Sequence, residues 1–164
     1  MAYARYKQQE NYVAIAMDVA VDPSNGVIAV RRVACAHDCG LIVNPDALRN
    51  QVEGCIVQTL SRSLHEETTF DRSRVTSVDW GSYPVLTFPE APEMNVILID
   101  RPDQPLLGAG EAATAPVAAA LANAVFDATG ARLRTAPFTR GRVRAALTST
   151  TRRAEASASA ETRA

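Results

Sequence analysis

The chain has 164 residues, a net charge of −1 and an ordinary globular composition, 47% hydrophobic and 21% charged. That length makes one domain with room for a core. The balanced charge lacks the electrostatic footprint of a nucleic-acid or anionic-membrane binder. No apolar run reaches membrane-spanning length, and Met1–Lys7 lacks the apolar stretch of a secretory signal. The opening residues read as the middle of something longer, so residues 1–10 are taken as a lead-in.

Tyr12–Asp22 alternates, with Val13, Ile15, Met17, Val19 and Val21 in one phase. The pattern predicts a half-buried strand. Asp22-Pro23-Ser24-Asn25-Gly26 is a turn by chemistry. The second strand, Val27 to about His37, shifts phase near Arg31-Arg32, which predicts a bulge in a hairpin.

Asn44-Pro45-Asp46 starts a helix, with Asn44 as N-cap and Pro45 at the first helical position. It runs to about Glu66 on a buried stripe of Leu48, Val52, Cys55, Ile56, Thr59, Leu60, Ser63 and Leu64. Gln51 sits on the edge of that stripe. Gly54 costs roughly 1 kcal/mol against alanine in a helix; close packing would explain it, and so would chance.

Short strand pieces are expected between Thr68 and Asp79, then an irregular crossing to Pro92. A buried strand follows at Glu93–Asp100. A loop leads to Gly108-Ala109-Gly110-Glu111, and Thr114 and Pro116 open a helix that Gly130 closes. Arg132–Arg134 reads as an edge strand, Arg140–Leu147 as a short helix, and 148–164 as a disordered tail of Ser, Thr, Ala, Arg and Glu. The expected fold is α+β: a two-layer domain over residues 11–147 with a mixed/antiparallel sheet, in β-β-α-β-α order, packed on two long helices.

Cys35, Cys39 and Cys55 make an odd count, against a disulfide framework. With His37 they form a conceivable zinc set, but not at a standard spacing. Small buried thiols are the default, and no protein metal ligand is assigned. Asp38, beside His37, is expected to satisfy backbone amides or cap a turn. Glu111 stands at the mouth of the Gly-rich turn, a reasonable mount for a general base. The local pattern alone favours the plainer reading, a loop glutamate near a helix N-terminus.

Four segments together say more. They are Ala36-His37-Asp38-Cys39-Gly40 with Asn44-Pro45; Gln51-Val52-Glu53-Gly54 with Gln58; Gly108-Ala109-Gly110-Glu111; and Ala122–Gly130 with Arg132-Leu133. In this order the chain, over about residues 10 to 147, resembles the C-terminal part of the large, molybdopterin-binding subunit of the xanthine dehydrogenase and aldehyde oxidase family. The isoquinoline 1-oxidoreductase β-subunit type is the nearest likeness.

The resemblance implies that Glu111 is the general base acting on a hydroxide or water on molybdenum. It implies a cofactor-binding role for Gln51, Gly110 and Ala112. Gln51 would stand beside the metal centre, where an amide can donate without carrying charge. The implied cofactor is molybdenum–molybdopterin, in its cytosine dinucleotide form, shared with a region absent from this sequence and held without protein metal ligands. The implied partners are that remaining molybdopterin-binding region and a small 2Fe-2S subunit; no cysteine set here suits an iron–sulfur cluster. The implied substrate is an N-heterocycle or an aldehyde. Two compartments stay open, the cytoplasm by default and the periplasm through an export signal on a partner. Alternatives of other classes are a non-catalytic stand-alone fragment or assembly domain, and an unrelated glutamate-based hydrolase, for which no second catalytic group is evident.

Overall fold

The computed structural model describes residues 1–7 and 11–161, with side chains through residue 152. Strands β1 (Ala2–Tyr6), β2 (Asn11–Val21), β3 (Ile28–Asp38) and β4 (Glu93–Ile99) form a sheet in that order. The first three are antiparallel neighbours, and β4 lies parallel to β3. A parallel neighbour needs a crossover, and helix α1 (Pro45–Leu64) supplies it. Helices α2 (Val117–Thr129) and α3 (Arg140–Glu161) complete the order. The α+β fold with a mixed sheet and two long helices is as expected.

Local chemistry sets the elements. In the β2–β3 turn, Ser24 N donates to Asp22 Oδ1 at 2.8 Å, and Gly26 N to Asp22 O at 2.8 Å. Gly26 has φ +73°, and a Cβ there would lie 2.3 Å from the Arg140 carbonyl oxygen. Asp18 pairs with Arg32 but Val19 pairs with Val30, so Arg31 is the extra residue of the bulge. That extra residue keeps both Val30 and Val33 on the buried face. Asn44 caps α1 by accepting from Ala47 N at 3.0 Å. Gly130 closes α2 in the left-handed region, φ 70°.

Helices α1 and α2 cover one face of the sheet. Val13, Ile15, Val33, Cys35 and Val96 meet Val52, Ile56 and Leu60 of α1 and Val117, Leu121 and Val125 of α2. Each fully buried large apolar side chain contributes about 1.5–3 kcal/mol, so this layer holds the fold.

Three expectations change, and one open alternative is closed. The N-terminal lead-in contains β1, paired along β2 from Ala2↔Ile15 to Tyr6↔Asn11. Arg132–Arg134 forms no strand: Ala131 and Leu133 are buried against the core side, and the Arg132 guanidinium lies 3.7 Å from the centre of the Phe126 ring. The final helix continues to Glu161, past the Leu147 end expected for it and through much of the segment taken as a tail; residues 162–164 lie outside the described residues. Gly54 serves no close packing, because a Cβ there would meet nothing within 4 Å.

Candidate functional site

The chain leaves β4 and runs back beside the end of β3. Arg101 N donates to Gly40 O, and Leu107 N to Cys39 O. Asp38 anchors this return. Its carboxylate accepts from Gly40 N at 3.0 Å and pairs with Arg101 Nε at 2.9 Å. Asp38 therefore caps a turn, as its position predicts. Gly40, at φ +78°, lies where a Cβ would be 2.1 Å from Pro105 O, so the return requires glycine.

The return delivers Gly108–Glu111 to a point where three elements meet. From β2, Asn11 Nδ2 donates to Gly108 O at 2.7 Å. From α1, Gln51 Nε2 donates to Gly110 O at 2.5 Å, and Cys55 Sγ donates to the same oxygen at 3.3 Å. From β1, Tyr6 Oη donates to Glu111 Oε1 at 2.5 Å. Behind the turn, Thr114 folds back on Glu111 O through both N and Oγ1, at 3.0 and 2.7 Å. A 3-10 turn, Ala112–Thr114, then leads into α2.

The four residues singled out from sequence thus gather in one place. Gln51, Gly110 and Glu111 are exposed around the turn. Ala112 is wholly buried in the core cluster and supports the turn from beneath. Gly108 and Gly110 are not in the left-handed region, so conformational need does not explain them. A Cβ at Gly54, Gly108 or Gly110 would meet nothing within 4 Å. Gln51, Gly54 and Gln58, spaced i, i+3 and i+7, make one exposed stripe on α1.

Beneath the site the groups are neutral. Burial pushes the Cys55 thiol up, partly offset by the hydrogen bond from Gln51, with the Glu111 charge raising it further. Burial, with Cys55 nearby, pushes Cys35 up to about 12. Burial pushes His37 down against the pull of Asp38, so the imidazole is neutral near pH 7. Among the described residues, neither His37 nitrogen nor Asn11 Oδ1 has a hydrogen-bond partner. No group of three or more His, Cys, Asp or Glu among the described residues could hold a metal.

Residues 3–92 match the family described as molybdopterin cofactor-binding domain. The chain belongs to this family. Among relatives of the domain, a nicotinate dehydrogenase polypeptide of Pseudomonas putida is 48% identical over 89% of this chain and 13% of its own length. The β-subunit of isoquinoline 1-oxidoreductase from Brevundimonas diminuta is 31% identical over 84% of this chain and 17% of its own length. The higher identity to the nicotinate enzyme places the resemblance at the level of the xanthine dehydrogenase/aldehyde oxidase family, not the isoquinoline type in particular. The crystal structure of quinoline 2-oxidoreductase from Pseudomonas putida superposes with a TM-score of 0.78 at 25% identity, covering 84% of this chain and 19% of that one. The domain spans less than a fifth of the length of these relatives.

Tyr6 and Asn11 were not found by sequence reasoning. Asn11 carried a signal: it occupies the inward phase of β2, ahead of Val13 and Ile15, where an apolar residue is expected. A buried polar side chain in that phase marks a specific partner. Tyr6 carried only a weak one, the Ala2-Ala4-Tyr6 phase of a short edge strand.

Proposed function

We propose that this chain supplies a proton-accepting carboxylate, Glu111, and a neutral amide, Gln51, to the molybdenum–pterin site of an oxidoreductase that hydroxylates an N-heterocycle or an aldehyde. One observation carries the reading: Gln51 of α1 and the Gly110-Glu111 turn, 59 residues apart between Gln51 and Gly110, are joined by a direct hydrogen bond.

The residues fit the group. The surface over the turn is open, since a Cβ at Gly108 or Gly110 would meet nothing within 4 Å. The facing polar atoms belong to an amide and to backbone, which suit a cofactor that brings its own sulfur ligands. Gln51 and the Gly110 backbone would hold it, with Ala112 as support. When bound, the cofactor supplies the two-electron oxidation and the oxygen delivered to substrate. Glu111 takes up the proton released in that delivery at its carboxylate. The cytosine dinucleotide form of the cofactor, a remaining molybdopterin-binding region and a small 2Fe-2S subunit belong to the same reading. Relatives are named for nicotinate, isoquinoline and quinoline and for aldehydes, so the proposal keeps both substrate classes.

The test separates the two roles in the complete, cofactor-loaded enzyme. Glu111→Gln keeps its molybdenum content and loses turnover, whereas Gln51→Ala loses molybdenum content. Loss of molybdenum in the first variant with full retention in the second rejects the assignment.

A further inference from the structure

The rung of the sheet that pairs Tyr6 with Asn11 holds the glutamate turn at both ends. Asn11, wholly buried, fixes Gly108 through its carbonyl. Tyr6, at the end of β1, reaches Glu111 itself. Between these two anchors, Gly108 and Gly110 offer no side chain to wedge the turn in place. The Glu111 carboxylate is exposed, so without an anchor its side chain would sample several rotamers.

We infer that Tyr6 is a positioning residue for Glu111. This rests on the reading of Glu111 as the base. The phenol donates to Oε1 and leaves Oε2 free to accept a proton. The side chain is thereby held in one orientation before substrate arrives. The Lys7 ammonium, 5.3 Å from the centre of the Tyr6 ring, packs against the ring in a cation–π contact. Phenylalanine at this position would keep the ring and remove only the donated proton.

Two readouts on the complete enzyme test the inference. The first is steady-state kinetics of Tyr6→Phe at matched molybdenum content. The expected result is a fall in kcat of about 10- to 100-fold, with KM little changed, in line with the cost of a misplaced catalytic group. The second needs no turnover: fluorotyrosine placed at position 6 and followed by 19F NMR. Its signal should move when Glu111 is replaced by Gln, because a charged acceptor becomes a neutral amide. If Glu111→Gln abolishes turnover but Tyr6→Phe matches wild type and the fluorine signal does not move, Tyr6 does not position the glutamate. If Glu111→Gln turns over normally, the base reading itself fails and the positioning role falls with it, whatever the fluorine signal shows.

Discussion

Gln51 Nε2 and the Gly110 carbonyl oxygen lie 2.5 Å apart, tying the exposed stripe of α1 to the turn that presents Glu111. The bond is direct and uncharged, so it fixes the turn without competing for a proton. Replacing Gln51 with Ala removes it and should lower the stability of the protein by about 0.5–1.5 kcal/mol, the net worth of one hydrogen bond. Gln51→Glu should cost more, because it sets a carboxylate against a carbonyl oxygen with Glu111 close by. Urea unfolding of the two variants checks the order.

The glycines predict opposite outcomes at two positions. Gly54→Ala meets open space inside a helix and should stabilise the fold by roughly 0.5–1 kcal/mol. Gly40→Ala must relieve both a left-handed φ and a 2.1 Å approach to Pro105 O, and should destabilise. Thermal melts of the two variants decide it; equal shifts would remove the distinction drawn between space left open and conformation required.

Much of this architecture was legible because it is written in local chemistry. The alternation of Val13 to Met17, the Asp22–Gly26 turn, the phase shift at Arg31 and the Asn44-Pro45 cap each act over a few residues. Three features were not legible. β1 turns Ala2, Ala4 and Tyr6 toward the core side, and the two alanines are too small to give a hydrophobic signal. The Tyr6–Glu111 and Asn11–Gly108 bonds span 105 and 97 positions, and spacing carries no trace of them. The glycine turn was visible, but its glycines have no positive φ, and a Cβ at either would meet open space. The helical run past Leu147 carries Ala, Arg and Glu of good intrinsic helix propensity among its Ser and Thr.

The buried thiols predict a pH dependence of stability. Burial raises Cys35 from 9.0 to about 12, and Cys39 and Cys55 also move up. Above pH 9 the unfolded chain releases these protons while the folded chain keeps them. The folded state then binds more protons, so stability is fully present below pH 9 and falls as pH rises toward 12. Cys35→Ala should flatten that fall. The same burial predicts slow labelling by a thiol reagent at pH 8 in the native protein and fast labelling once unfolded.

Leu121, on the buried face of α2, is fully buried within the layer that carries the glutamate turn. Leu121→Ala should cost about 2–5 kcal/mol, a large fraction of the stability of a domain this size. Chemical denaturation gives the value; a cost below about 1 kcal/mol would mean that α2 does not depend on this core.

The most direct measurement is turnover of the complete, molybdenum-loaded enzyme with Glu111→Gln, at a molybdenum content matched to wild type. The carboxylate and the amide are nearly the same shape, so the substitution removes proton acceptance and little else. The account predicts a loss of about 10²–10⁴-fold with cofactor retained. Turnover equal to wild type at equal molybdenum content would contradict it.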